Sequence, residues 1–389
     1  MSGALAVFIV SLCALVYTFI GYPLLLAAWS RARPRAVQRA PIEPDVAIVI
    51  CVYNGAAFVA DKIRNCLAQD YPRDALRVLI ASDGSSDETN SIVLGLSDPR
   101  VTLLAFAQRR GKASCLNDAL GACTESVVVL TDVRQKLHKD AVRELLANLA
   151  DPEVGAVGGQ LVFSLDGITP YGESLDVYWR YEKFLRRAES RIASSVGVSG
   201  ALYALRLECF RPIPADTILD DVLIPMNVAM QGRRVLFEDR ALAFDMPSKN
   251  AADERKRKVR TMAGNFQLLT SHPRILAPWR NPLAFQFLSH KVARLCMPLA
   301  MLGAFIANAV LAASSVMLFA ALGLQLLCYA LAVAGLLVPA ANRWRAVSLA
   351  SGFVTLNWFV VLGLAEFLFN RNAHLWNSGT SGRGINSAP

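Results

Sequence analysis

Two long stretches of this chain carry no charged side chain: residues 2–30 and residues 295–342. A charge-free apolar run of about 20 residues is long enough to cross a bilayer as a helix. In lipid the backbone is satisfied only inside a helix or a closed barrel. A hydrophobic content of 54% and a net charge of +9 are compatible because apolar and charged residues are segregated along the sequence. A wholly soluble chain is excluded, and an integral membrane protein with a soluble part between its spans is expected.

The first run lacks a basic start, is too long for a secretory signal, and ends in Leu26-Ala27-Ala28-Trp29-Ser30-Arg31, a poor cleavage site. A retained transmembrane helix is therefore expected within residues 1–30. Arg31, Arg33, Arg35 and Arg39 follow at once, which makes this end cytoplasmic by the positive-inside rule. Pro34, Pro41 and Pro44 keep the basic linker, 31–44, extended. Apolar runs at about 294–313, 315–339 and 346–369 predict three further transmembrane helices within 294–370. The first two need a tight turn near Ser314-Ser315 on the far side, and the basic Asn342-Arg343-Trp344-Arg345 belongs inside. This predicts four spans, both termini outside, a cytoplasmic domain over 45–270, an interfacial segment over 271–293 and a loose polar tail over 371–389. The spans hold almost no ionisable residue, Glu366 being the exception, which argues against a transporter.

The eight cysteines are scattered without metal-ligand spacing, and His138, His272, His290 and His374 form no zinc pattern. Reduced thiols are expected. The run Arg255-Lys256-Arg257-Lys258 lies on an amphipathic helix at 253–269 and suits a membrane surface or an anionic ligand. No nucleic-acid partner is expected.

The soluble part alternates strand and helix. Strands are expected at 46–52, 78–81, 101–105 and 127–130, and helices at 56–69, 89–96, 112–122 and 139–149. The alternation gives an α/β domain with a parallel, Rossmann-like sheet, with residues 154–162 pairing onto it. A long helix at 171–190, a glycine-punctuated segment at 196–205, a helix at 219–230 and a short strand at 234–237 follow. Two apolar strands end in acids, Asp83 and Asp132. Ligands of open α/β sheets bind at the carboxyl ends of the strands, so both acids look into one crevice. Such a pair suits a sugar nucleotide: one acid can accept hydrogen bonds from base or ribose, and the other can hold a divalent cation against the diphosphate.

Val52-Tyr53-Asn54-Gly55, Ser82-Asp83-Gly84-Ser85, Gly111-Lys112-Ala113, Thr131-Asp132 and Leu219-Asp220-Asp221 occur in the order seen in glycosyltransferase family 2. The resemblance runs from about residue 47 to 260. With the membrane helices, the arrangement looks like bacterial polysaccharide synthases, distantly related to cellulose and hyaluronan synthases. It implies a GT-A nucleotide-sugar-binding domain and an inverting hexosyltransferase. The implied partners are a nucleotide-sugar donor, most simply UDP-linked, and a polysaccharide or lipid-linked acceptor at the bacterial inner membrane. Subunits of a polysaccharide synthesis or export apparatus are possible further partners.

By the same resemblance Tyr53 and Asn54 touch the nucleotide base, Asp83 contacts uracil or ribose, and Lys112 brings its ammonium near the diphosphate. Asn-Gly is equally an ordinary turn signal, and Lys112 can be read as a surface lysine. Asp132 falls at the first acid of the family's metal-binding Asp-x-Asp, implying Mg2+ or Mn2+. The second acid is absent, and Arg134 stands in its place. Either Asp132 alone holds the ion together with substrate phosphates, or Arg134 neutralises phosphate charge itself. Gly200 and Ala201 match a loop near the acceptor. Asp221 matches the family's general base, which the reaction needs because the acceptor hydroxyl loses a proton as it attacks. Its neighbour Asp220, also on the acceptor side, fits a capping-box spacing from Thr217. Arg260 matches the Arg of Gln-x-x-Arg-Trp and would touch the diphosphate, but Arg257 and Thr261 stand where the Gln and Trp would be. The aromatics and charges of Tyr178-Trp179-Arg180-Tyr181-Glu182 read as packing and a charged face. Two rival functions stay open: transfer of a single sugar to a polyprenyl-phosphate carrier, and an inactive nucleotide-binding subunit.

Overall fold

Short runs of Val and Ile buried on both faces build the centre of the soluble domain. In the structure, a computed structural model that describes residues 2–163, 172–246, 251–370 and 372–375, eight strands form one sheet. They are β1 (Val46–Val52), β2 (Leu76–Asp83), β3 (Val101–Phe106), β4 (Val127–Leu130), β5 (Lys136–Leu137), β6 (Val154–Phe163), β7 (Tyr203–Arg206) and β8 (Arg234–Asp245). Their order is β3-β2-β1-β4-β7-β6-β8-β5. The half from β3 to β4 is parallel, as the alternation implied. Beyond β4 the sheet is mixed: β7 runs antiparallel to β4 and β6, β8 is parallel to β6, and β5 is antiparallel to β8. The expected strand at 234–237 is the first third of β8, which extends past a register shift at Gly158/Gln160 on its partner. The domain is therefore GT-A-like, with helices on both faces of a mixed sheet.

Every residue of β1 is buried, so its side chains feed two cores, one on each face of the sheet. On one face lies α1 (Lys112–Ala122), through Cys115, Leu116 and Ala119. Later helices are α2 (Gly172–Ile192), α3 (Asp220–Met230) and α4 (Ala251–Ser271).

Among the described residues four helices are long and apolar enough to cross a membrane: Gly3–Ala32, Ala284–Ser314, Val316–Leu337 and Arg345–Phe369. The first, expected within residues 1–30, runs to Ala32 and contains a π-helical turn at Tyr17–Gly21. Beyond that turn Tyr22 and Leu26 are fully buried against Leu185, Ala188 and Ile192 of α2. The linker cations are not idle: Arg35 pairs with Glu153, and Arg39 with Glu144 and Glu238. The turn near Ser314-Ser315 is present, and the Ser315 hydroxyl accepts from Met317 N at 3.2 Å to cap the next helix.

Where the first helix, α2 and the second apolar helix meet, His290 is buried between two acids. Its Nδ1 lies 2.7 Å from Glu189 and its Nε2 3.2 Å from Glu182. Tyr22 donates to Glu189 at 2.8 Å, and Arg294 pairs with Glu182. Buried charges persist only when paired and hydrogen-bonded, so this node fixes the membrane helices to the soluble domain at one orientation.

Residues 372–375, beyond the last apolar helix, lie on the soluble domain: Arg260 of α4 donates to the carbonyls of Ala373 and His374, at 3.1 and 3.4 Å. The last helix is itself pressed against α4. A Cβ on Gly363 would stand 2.3 Å from Met262 Cβ, and Phe367 stacks on Phe266. Residues 376–389 lie outside the described residues.

Candidate active site

The carboxyl ends of β1, β2 and β4 open on one crevice. Asp83 closes β2 and is fully buried. Its two oxygens accept from the backbone N–H groups of Arg110 and Gly111, at 2.8 and 2.9 Å. Gly84 makes this approach possible. It adopts φ +66°, and a Cβ there would meet Arg109 N at 2.5 Å. Asp83 thereby holds the backbone just ahead of Lys112, a loop-anchoring role beside the donor contact expected of it.

After β1, Asn54 takes a left-handed conformation (φ +53°). Its side-chain oxygen accepts from Ser86 N at 2.9 Å, and its own N–H donates to the Ser85 hydroxyl at 3.1 Å. The turns after β1 and β2 are therefore one unit. The Tyr53 ring stands beside it with the Arg109 guanidinium 4.0 Å above its centre, a flat platform of the kind a base can stack upon. Asp87 accepts from the Ala56 and Thr89 N–H groups, at 3.1 and 3.0 Å.

Lys112, the first residue of α1, is the centre of the site. Its ammonium lies 3.0 Å from Asp132 and 3.2 Å from Asp220. The surface-lysine reading fails. Burial works against the charge, yet Asp132, Asp220, Tyr203 and Asp221 hold this ammonium well above the ordinary lysine range. Asp220 is buried, and its Oδ2 is within ion-pair reach of Lys112 without a hydrogen-bonding alignment. The capping box is not formed: Leu219 is the N-cap of α3 without a side-chain bond, and the Thr217 hydroxyl donates instead to the Pro214 carbonyl. Asp220 takes the first turn of α3, where its negative charge suits the helix dipole.

Asp221 follows, partly open to solvent. A Cβ built on Gly200 would stand 3.5 Å from its Oδ2 and 3.7 Å from the Lys112 ammonium. Gly200 thus leaves space between the Asp221 carboxylate and the Lys112 ammonium. Burial, and then the negative charge of Asp220, push the Asp221 carboxyl above the usual aspartate range, against the pull of Lys112, Arg186 and Lys291. Ala201 is buried and turns its carbonyl to the Thr131 hydroxyl, 2.7 Å away.

The side chain of Asp132 is 37% exposed, so a donor can reach it. Arg134, in the place of the missing acid, points to Asp245 at the end of β8, 3.6 Å away, and Gln135 donates to the same carboxylate at 2.8 Å. Among the described residues no three His, Cys, Asp or Glu side chains cluster as a metal cage. The donor set fits an ion held by one reachable carboxylate, that of Asp132, with substrate phosphates completing the shell.

Arg260 faces the same acids. Burial lowers its guanidinium from the ordinary value while Asp220, Asp221 and Asp132 pull the other way. Through Ala373 and His374 it also holds the segment after the last helix, whose His374 and Leu375 side chains lie 3.2 and 3.6 Å from where a Gly111 Cβ would be. Thr261, at the aromatic position of Gln-x-x-Arg-Trp, returns its hydroxyl to the Arg257 carbonyl at 3.0 Å. Of the expected site residues, Lys112, Asp132, Gly200, Asp220, Asp221 and Arg260 converge. Tyr53, Asn54 and Asp83 form the adjoining turns, and Arg134 is drawn to Asp245. Lys62, Asp245 and the tail contacts have no counterpart in the sequence reading.

The family model of glycosyl transferase family 2 matches residues 47–209. The succinoglycan biosynthesis protein ExoO of Rhizobium meliloti is 31% identical over 136 residues, 34% of this chain and 37% of that protein. An N-acetylglucosaminyltransferase of the same organism is 31% identical over 193 residues, 44% of each chain. Poly-beta-1,6-N-acetyl-D-glucosamine synthase of Staphylococcus aureus is 21% identical over 230 residues, 58% of this chain and 55% of that protein. The chain therefore spans from about a third to just over half of these relatives. The solved structure of the mannosyltransferase PcManGT from Pyrobaculum calidifontis, in complex with GDP-Man and Mn2+, superposes with a TM-score of 0.71. Its identity is 25%, over 94% of this chain and 99% of that one.

Proposed function

We propose that the protein is an inverting hexosyltransferase of the glycosyl transferase family 2 kind, a reading supported by the match of that family model over residues 47–209. It moves a sugar from a nucleoside diphosphate donor to a hydroxyl of a glycan or lipid-linked acceptor at the membrane. The observation that carries this reading is the Lys112 ammonium between Asp132 and Asp220, with Asp221 across the space left by Gly200. Asp221 takes the proton of the acceptor hydroxyl as its oxygen forms the new bond to the anomeric carbon. The bond from that carbon to the diphosphate oxygen breaks in the same displacement, which inverts the centre. Lys112 and Arg260 face the leaving diphosphate with positive charge. Tyr53 and Asn54 receive the base, and Asp83 holds the loop that presents Lys112.

Asp132, with Asp220 nearby, would hold Mg2+ or Mn2+. Such an ion supplies further positive charge to the diphosphate. The likeness to a mannosyltransferase in complex with GDP-Man and Mn2+ supports both donor class and ion. The family resemblance implies a UDP-linked donor, and a guanine donor is the direct competitor. Arg31, Arg33, Arg35 and Arg39 at the domain end of the first helix support a domain facing the cytoplasm of a bacterial inner membrane. The absence of an aromatic at Thr261 and its back-bonded hydroxyl favour a second reading of the product: one or a few sugars on a lipid-linked carrier rather than a long polymer.

The test is purified protein in bilayer discs, supplied with labelled UDP- and GDP-sugars and membrane lipid extract, followed by product sizing. Transfer from one donor class, lost on chelation and restored by Mn2+ or Mg2+, is expected. Transfer that survives exhaustive chelation but is lost in Arg134→Ala would remove the ion. No transfer and no nucleotide binding would remove the enzymatic reading.

A further inference from the structure

Lys62 stands on the helix Val59–Leu67, packed on the sheet face opposite α1, and is only 3% exposed. Its ammonium donates to the Thr131 hydroxyl at 2.8 Å and to the Gln135 carbonyl at 2.7 Å. The Thr131 hydroxyl in turn donates to the Ala201 carbonyl at 2.7 Å. One buried cation therefore fixes both ends of the segment 131–135, which carries Asp132 and Arg134. Through a single hydroxyl it also ties that segment to the loop bearing Gly200 and Ala201.

A buried ammonium is costly. Burial lowers this one from the ordinary lysine value, opposed by Cys66, Asp132 and Asp245. An apolar side chain of similar length would fill the slot without that cost. The neighbours Val59, Ile63 and Cys66 show that the slot is a core position. What the ammonium adds over such a residue is the position of two loops.

We propose that Lys62 is a positioning residue for sugar transfer. It sets the place of Asp132 relative to the acceptor-side loop, and through Asp132 it sets the affinity for the donor diphosphate together with its cation. The proposal rests on the reading of Asp132 as a donor-side residue. Groups that orient a ligand from behind typically change affinity or activity by about 10–100-fold when removed.

The experiment compares Lys62→Met, Thr131→Val, the double variant and Asp132→Ala in full-length protein. Calorimetric binding of UDP and GDP with Mn2+ is measured, along with thermal unfolding and the steady-state constants. Lys62→Met should weaken nucleoside diphosphate binding by about 10–100-fold. The donor KM should rise by a larger factor than kcat falls. The double variant should be no weaker than the poorer single one, because both break the same node. Wild-type diphosphate affinity and donor KM in Lys62→Met, while Asp132→Ala is inactive, would overturn the inference and leave the assignment of Asp132 intact. Wild-type behaviour in Asp132→Ala would overturn both. Should Lys62→Met fail to fold, Thr131→Val decides alone: weakened diphosphate binding upholds the inference and unchanged binding overturns it.

Discussion

The Asp221→Asn variant should lose turnover and gain stability. No hydrogen bond to the Asp221 side chain occurs among the described residues, and the space beside it is set by Gly200, 3.5 Å from Oδ2 at its built Cβ. An isosteric amide therefore keeps the packing and removes only the ability to accept a proton. A positioned general base contributes roughly two to four orders of magnitude, which is about 3 to 5 kcal/mol at ~1.4 kcal/mol per decade. The loss should fall on kcat, with nucleoside diphosphate affinity nearly unchanged. The stability effect has a definite sign. The folded-state carboxyl is raised above its unfolded value by burial and by Asp220, so the folded protein binds this proton more tightly than the unfolded chain. Ionising it disfavours folding: the associated stability is present at low pH and is lost as pH rises through the raised value. The amide mimics the protonated acid, so the variant should melt above the wild type at neutral pH, and the gap should close as pH falls. The same titration sets the acid limb of the wild-type rate above the ordinary aspartate range. The assays are initial rates across pH with saturating donor and thermal unfolding of solubilised protein. Turnover within tenfold of wild type, or a variant less stable at every pH, would refute the reasoning.

Packing and topology supply two further tests. Gly264→Ala should cost about 1–3 kcal/mol in denaturant unfolding, because its Cβ would lie 2.5 Å from Leu219 and 2.9 Å from Ile218, just ahead of Asp220 and Asp221; an unchanged midpoint counts against the close approach of α4 to α3. A reporter active only on one side of the membrane, fused after residue 389, should report the same side as one inserted in the soluble domain, since Arg260 holds Ala373 and His374. Opposite readings would show that the tail crosses.

The acids at strand ends were legible because a parallel strand announces itself by a short buried run, and the crevice lies where that run stops. Asp83 and Asp132 follow from that rule, and Lys112 from its place at the start of a helix after Gly111. The pairing of Lys112 with Asp220 was not legible, since it joins residues 108 positions apart. The capping-box spacing at Thr217 misled for a local reason: the hydroxyl found the Pro214 carbonyl, and the helix began at Asp220 without it. Lys62 did leave a trace. Val59, Ile63 and Cys66 mark the apolar stripe of a helix, and Lys62 falls within it. A lysine at a core position signals a buried partner. The contact of residues 373 and 374 with Arg260 was not legible either, because hydropathy measures whether a helix is long enough to cross, not where its ends dock.

The membrane part does more than hold the domain at a surface. The site has three sources: the turns after β1, β2 and β4; the first turn of α3; and α4 with the segment after the last helix. The third source depends on the apolar helices. Arg260 lies on α4, whose Met262 and Phe266 are pressed by Gly363 and Phe367. The same helix delivers Ala373 and His374 to Arg260, and Leu375 to the neighbourhood of Gly111. Where the first and second apolar helices meet α2, His290 and Arg294 bind Glu182 and Glu189, while Tyr22 of the first helix shares Glu189. Cations from this junction reach the candidate site: Arg186 of α2 and Lys291, one residue past His290, both favour the ionised Asp221 carboxylate. A soluble fragment ending at residue 270 would keep Asp83, Asp132, Lys112 and Asp221 on their strands and helices. It would lose the partners that fix Arg260, and with Lys291 one of the charges that act on the Asp221 carboxyl.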